Sequence, residues 1–447
     1  MELVLEQIAP TQKLERNFFF QTSNNIVNVT YDTQGNYWNS EDRERSLNTR
    51  LRNHEGFRNV SPISSIEISQ RRDFHQKKRT DICFQFKKFY SKIPIKITHF
   101  QVRKNFYLSP CGSDIIYSKK FGIESFNLIK YKQQTLSALS MEDENNPDKS
   151  MICFDITKNL DGDYLICIGR SDGTVNLYKI TRDELEKLKN LKFNKTPNYE
   201  NYLTKVISQG EASDILTNYV RFISDQGEEG EKNLLMTTNN DGHVRIFDLR
   251  NDMKQKKDFK ADAPVNHCDF NFTGNVLACI GDSVNIELFD GNNCNRINKF
   301  TAHYDYGTVV KFKPYNEYVC ASGNQDFSAK IWDIRYLEKI SKYDSSIFKS
   351  TKTLFGHFDS IGDLLFINSN KNLNEDLLVY AENADYLHIY NMQSDSVQTL
   401  SYLGYFAGMA YNPYNSNLLV GVEDYNLGGV LCYDSINPIN SLNKVFI

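Results

Sequence analysis

Apolar and polar positions along this 447-residue chain fall into a recurring unit. It is an apolar run, a polar turn with Asp or Gly, an alternating run closing on an aromatic, and then often an Asp. Six stretches share it: CIGRSDGTVNLYKI, TTNNDGHVRIFDLR, CIGDSVNIELFD, ASGNQDFSAKIWDIR, YAENADYLHIYN and VGVEDYNLGGVLCYD. Alternation with a period of two marks half-buried β-strands, and a polar turn between such runs marks a hairpin. The closing aromatics are Tyr178, Phe247, Phe289, Trp332, Tyr390 and Tyr433. Three of the five intervals are 42 or 43 residues, the length of a four-stranded repeat. The other two, 69 and 58 residues, each contain a polar segment that reads as an insertion. The first insertion holds TRDELEKLKNLKF, whose Leu spacing predicts a short helix over 181–193. An earlier unit, LSPCGSDIIYSKKFGIESFNLI, ends near Phe126, one repeat before Tyr178. That makes seven.

In the fifth unit His303, Ser322, Asp326 and Trp332 follow one another in the order and spacing of a WD40 blade, and the resemblance to that family is specific. It implies a hydrogen-bonded chain from the outer loop to the inner strands, a buried polar network that is favourable only when every member is satisfied. His357, in FGHFDS, corresponds to His303 in the next unit. A catalytic or metal-binding role for His303 explains nothing that the repeat does not. The expected fold is therefore all-β, a seven-bladed WD40 β-propeller with polar loop insertions, spanning 1–447 as one domain. Closing such a ring requires an N-terminal strand on the last blade; Phe18–Phe20 and Ile26–Tyr31 are the candidates. Residues 32–80 read as a mobile loop, 141–150 as an acidic loop, 181–215 as an insertion with the short helix, and 437–447 as a tail.

Composition narrows the chemistry. Net charge is -4 with a pI near 6.1, so no global field draws nucleic acid or an anionic membrane. Nine scattered Cys with no C-x-x-C favour reduced thiols in a cytoplasmic or nuclear protein over disulfides or a zinc site. The N-terminus MELVLEQIAP lacks the apolar stretch of a signal peptide, and no run is long enough to span a membrane. The sequons at Asn28 and Asn271 are then chance matches. Sequence signatures of hydrolases, P-loops, zincins and dinucleotide folds are absent, so neither an enzyme nor a cofactor is expected.

The last two units go further. HFDSIGDLLFINSNKNLNEDLLVYAENADYLHIYN (357–391) and YFAGMAYNPYNSNLLVGVEDYNLGGVLCYD (405–434) resemble a fungal group of propellers that includes the substrate receptor of the GID (CTLH) ubiquitin ligase. The resemblance implies a non-catalytic receptor recognising client N-termini, with ligase core subunits and clients as protein partners. Fold alone leaves a generic scaffold open.

Three sets of residues carry this expectation. Glu382, Glu423 and Asp424 fall in turns of the last two units; they either hold a client's α-amine by charge-assisted bonds or are ordinary solvated acids. IFDLR and IWDIR place Arg250 and Arg335 in the pattern of cullin-4 adaptor receptors, although the blade itself already demands the aromatic-Asp pair. Val445, Phe446 and Ile447 end the chain as either a partner anchor or the last strand. The basic run QRRDFHQKKRT (70–80) reads as solvated surface or a nuclear-import signal rather than a nucleic-acid patch.

Overall fold

The structure is a computed structural model, which describes residues 81–91, 93–99, 104–109, 111–119, 122–137, 150–158, 162–181, 201–206, 216–224, 232–336, 350–357, 359–368, 376–424 and 428–436, with 30–31, 37–38 and 74. Five four-stranded antiparallel meanders follow one another. Their innermost strands are Phe106–Leu108, Met151–Lys158, Thr217–Ile223, Val265–Asn271 and Gly307–Phe312, opening blades 1 to 5. A seven-stranded sheet then carries blades 6 and 7 together, because the strand Ser396–Asn412 is both the outermost of blade 6 and the innermost of blade 7. Tyr405 pairs with Ala384 on one side of the corner and with Glu423 on the other. Among the described residues this gives seven blades.

The apolar pattern explains the order within each blade. Inner strands are buried almost end to end, as in Val265–Asn271. Outermost strands are polar with one anchor: Lys254–Lys260 buries only Phe259, and Arg296–Thr301 only Phe300. Buried apolar side chains gather into seven clusters, one at each junction between neighbouring sheets, including that of blade 7 with blade 1. Polar links repeat the motif at the inner strands: Asn218 donates to the Val265 carbonyl at 2.9 Å, and Asn266 to the Gly307 carbonyl at 3.0 Å. Each blade therefore relies on the next for its core.

The ring is closed by Phe84–Ser91, which pairs antiparallel with Gly429–Ser435 as the outermost strand of blade 7. Neither candidate from the sequence takes this place. Thr30–Tyr31 pairs instead with Tyr37–Trp38, and Phe18–Phe20 lies outside the described residues. FQFKKFYS suits the edge because it sets Phe84, Phe86 and Phe89 toward the core and lysines outward. Its start is clasped by Gln398, whose Oε1 accepts from the Cys83 and Phe84 amides at 2.8 and 2.9 Å while its Nε2 donates to the Phe84 carbonyl at 2.6 Å.

The insertions divide by position. Residues 182–200 and 337–349 fall between the third and fourth strands of blades 2 and 5, which accounts for the long intervals, and lie outside the described residues. So does the helix expected over 181–193, save Thr181, while the 181–215 span supplies the fourth strand of blade 2, Asn201–Val206. The acidic segment 141–149 and the tail 437–447 are also outside, as is 32–80 apart from Tyr37–Trp38 and Phe74. Phe74, the aromatic of the basic run, packs edge-on against Phe355, 5.7 Å between centroids.

Gln398→Leu leaves two buried amides and a carbonyl without partners, so it should cost about 3 kcal/mol. Urea unfolding should register that loss, with faster amide exchange confined first to 84–91; an unchanged midpoint would show that the clasp does not hold the ring.

Candidate functional site

Because every blade is a meander and all inner strands run the same way, turns sort onto two faces. Links between blades and second-to-third-strand turns lie on the top; first-to-second and third-to-fourth turns lie on the bottom.

The blade 5 set sits at the top. Ser322 Oγ lies 2.7 Å from His303 Nε2 and accepts from Trp332 Nε1 at 2.8 Å, and His303 Nδ1 lies 3.0 Å from Asp326 Oδ2. His303 and Trp332 are buried, and burial depresses the His303 pKa against the raising effect of Asp326. The imidazole beside Asp326 holds that carboxyl well below the usual range. These bonds run inward and are occupied.

Blade 6 builds its network on Glu382, and this corrects the expectation of a ligand-binding acid. Glu382 is fully buried. Its Oε1 accepts from the His357 amide at 2.6 Å and from His388 Nε2 at 2.7 Å, and its Oε2 from the Asp359 amide at 2.7 Å. Burial lowers the His388 pKa to about 3, so the imidazole is neutral and its Nε2–H is the donor. His357 reaches this hub through its backbone; its ring lies between Tyr386 and His388. No client amine can approach such a carboxylate without unmaking the blade.

Glu423 is partly exposed at the top but already engaged, accepting from the Ile97 amide at 2.6 Å and pairing with Lys96. Asp424 follows it, partly buried, with its carbonyl turned to the Gly428 amide. Arg250 and Arg335 are exposed in bottom turns of blades 3 and 5. Arg335 is tethered: its Nε donates to Asp333 Oδ1 at 2.9 Å, and its guanidinium lies over Tyr318 and Tyr336. Val445, Phe446 and Ile447 lie outside the described residues.

The bottom carries what the sequence did not single out. Of the exposed large apolar side chains, Tyr315, Tyr318 and Tyr336 cluster on blade 5, and Ile129, Tyr131 and Tyr414 belong to turns of blades 1 and 7. Ile82 and Ile436 flank the closing strand on the same face, whereas Tyr304 alone of the group stands at the top. Between blades 3 and 6 this face opens into a cavity of about 890 Å³. Tyr315, 73% exposed and in the left-handed region at φ 56°, stands at its mouth.

At the inner end of the cavity and on around the channel, charges alternate from blade 1 to blade 6: Lys104, just ahead of its inner strand, then Asp155, Arg221, Asp269, Lys311 and Asp363 within theirs. Asp155, Arg221, Asp269 and Lys311 each fall two residues after the irregularity in their strand's pairing. Asp155 and Asp269 accept from the Phe222 and Phe312 amides, both at 2.7 Å. Arg221 pairs with Asp269, and Lys104 with Asp363 at 2.7 Å, across small residues of blade 7. Lys311, partly buried, has no such partner among the described residues. Burial, then Lys104 and Arg221, bring its pKa down to about 7. The signal in the sequence is one charge inside the apolar inner strands of blades 2 to 6, as in CFDIT and VVKFK.

Comparisons with known proteins come down to the fold. No protein-family model and no curated protein matches the sequence. Among solved structures 1703 chains match, too many for the fold to name a function. One belongs to the crystal structure of a mitotic checkpoint complex, 14% identical with a TM-score of 0.57 over 80% of this chain and 95% of that one. With the sheet order, this makes the fold a WD40-type propeller. No helix among the described residues is long and apolar enough to cross a membrane.

A depressed lysine pKa destabilises the fold below that pKa, and the penalty fades as pH rises toward the ordinary value. Lys311→Met should therefore melt about 2 °C or more above the unaltered protein at pH 6. Calorimetry at rising pH should show the gap closing toward pH 10; a constant gap would mean the charge is not its source. Glu382→Gln, which cannot accept from two amides and His388 at once, should cost about 2 kcal/mol in urea unfolding.

Proposed function

We propose that this chain is a non-catalytic platform that docks other proteins through its bottom face. The observation that carries the reading is the gathering of exposed aromatic and aliphatic side chains on that face among the described residues, with the Arg335 guanidinium over Tyr318 and Tyr336. Tyr and Arg dominate binding energy at protein interfaces, and pre-ordered side chains lose little entropy when a partner arrives.

The finer reading is a substrate receptor of a GID (CTLH)-type ubiquitin ligase, presenting clients for degradation. It rests on the resemblance of 357–391 and 405–434, the segments that form the fused sheet of blades 6 and 7. On this reading the bottom holds the ligase core, and a client N-terminus meets the top near Glu423 and Asp424. Glu382 has no part in it. The alternative is a scaffold in another assembly, including one built on the cullin-4 adaptor through Arg250 and Arg335.

Purification of the tagged chain from its native cell should bring down RING-ligase subunits. The double substitution Tyr318→Glu, Tyr336→Glu should reduce that capture at least tenfold while leaving the melting temperature within a degree or two. Capture of a stable assembly without ligase subunits retires the receptor reading and keeps the platform; capture indifferent to the double substitution retires the bottom face.

A further inference from the structure

The cavity on the bottom face has a charge and shape that the platform reading does not use. Its lining includes five cations, Arg221, Lys256, Lys257, Lys311 and Lys313, against a single acid, Asp269. Three of the five are already answered: Arg221 by Asp269, Lys313 by Asp376 at 2.5 Å, and Lys256 by Asp248 at 3.1 Å. Lys257 donates to the Gly291 carbonyl, which leaves its charge uncompensated. Lys311 has neither a hydrogen-bond acceptor nor a close ion pair among the described residues, and Asp269 and Asp363, the acids that face it, are already taken by Arg221 and Lys104. Two cations, Lys257 and Lys311, are thus left without an ion pair, too few for a polyphosphate and of the wrong sign for an α-amine. The rest of the wall is mostly apolar, with Phe270, Phe272, Phe312, Leu365 and Phe366, beside the polar Asn271, Thr273 and Asn275. A volume of about 890 Å³ suits a body of two or three residues.

We propose that this cavity is a carboxylate-binding site whose occupant is the C-terminal end of a partner polypeptide with apolar last residues. The terminal carboxylate meets the Lys311 ammonium on the channel wall, and the last side chains lie against the phenylalanines. The polypeptide leaves past Tyr315 onto the bottom face. The choice of a polypeptide over a free carboxylic acid rests on the platform reading, since the mouth opens beside the Tyr318–Arg335–Tyr336 cluster. The carboxylate does for Lys311 what Asp363 does for Lys104, and it adds nothing that the paired cations need.

The test uses the full chain and four probes: an acetylated Gly-Ser-Gly-Leu-Phe peptide with a free carboxylate, its C-terminal amide, the same peptide ending in Asp-Asp, and 3-phenylpropionate. Calorimetric titration should show the free-acid peptide binding at least tenfold more tightly than its amide or the Asp-Asp form. Lys311→Met should lose that preference while folding normally, so that loss of binding is separated from loss of structure. Affinity should fall as pH rises from 6 to 9, because Lys311, faced by Lys104, Arg221, Asp269, Asp363 and His267, sheds its proton near 7. Equal binding of acid and amide, or no binding of either, overturns the site. Phenylpropionate binding as tightly as the peptide keeps the carboxylate and overturns the polypeptide. Loss of ligase or partner capture on the tyrosine substitutions is unaffected by any of these outcomes, so the two readings fail separately.

Discussion

Everything in this molecule hangs on one act of pairing, the zipping of Phe84–Ser91 onto Gly429–Ser435 across most of the chain's length. Each blade is a thin sheet whose faces are apolar, and its only cover is the sheet on either side. A row of such sheets buries its cores progressively but always leaves two raw ends. The closing strand brings those ends together and creates the seventh cluster, in which Ile93, Ile95 and Phe106 meet Ala407, Leu419 and Val430. It also removes the long unpaired edge that a free Gly429–Ser435 would offer to other chains. The entropy of closing so long a loop grows only slowly with its length, whereas the area buried at the seam is that of a full blade junction. Closure is for that reason a favourable step once the other six junctions exist.

Much of this was legible in the residues. The second strand of each blade is a short apolar run and the third alternates and closes on an aromatic, so seven units can be counted by eye, and His303, Ser322, Asp326 and Trp332 identify the best-formed blade. The outermost strands were not legible, because one buried Phe among lysines, as in KQKKDFK, is too little pattern to mark a strand. The closing strand was misplaced for a related reason. Phe18–Phe20 and Ile26–Tyr31 are the more apolar runs, but an edge needs one apolar face rather than two, and FQFKKFYS has it. Glu382 shows a deeper limit. An acid in a turn has the same local sequence whether water or two amides and an imidazole satisfy it, and the partner that decides the matter, His388, is six residues away on the returning strand.

The faces divide the work. The top is spent on holding the blades: His303 and Glu382 gather loops inward, and Glu423 fastens the segment that leads from the closing strand into blade 1. Inner-strand charges do the same lower down, stitching neighbouring blades through side chain and amide. The bottom has bonds of its own between blades, from Asn271 to the Asn316 carbonyl, from Asn412 to the Gly112 carbonyl and from Lys313 to Asp376, but its exposed tyrosines face outward. Exposed side chains that take no part in those bonds can change without loss of the ring, which is why partners of different kinds can be served by one architecture.

The shared strand Ser396–Asn412 has a mechanical meaning. Blades 3 and 4 are joined to the blades that follow by the loops 261–264 and 302–306, which can bend, and sheets joined so can tilt against one another as a shutter does. Blades 6 and 7 are joined by hydrogen-bonded backbone that turns its corner at Gly404 and Gly408, at φ 127° and 150°, where a Cβ on Gly408 would press on Phe106. These two blades form one stiff plate making up two-sevenths of the circumference. When the ring breathes, strain is shed to the junctions without a shared strand, so the plate is the fixed reference frame against which the rest of the molecule moves.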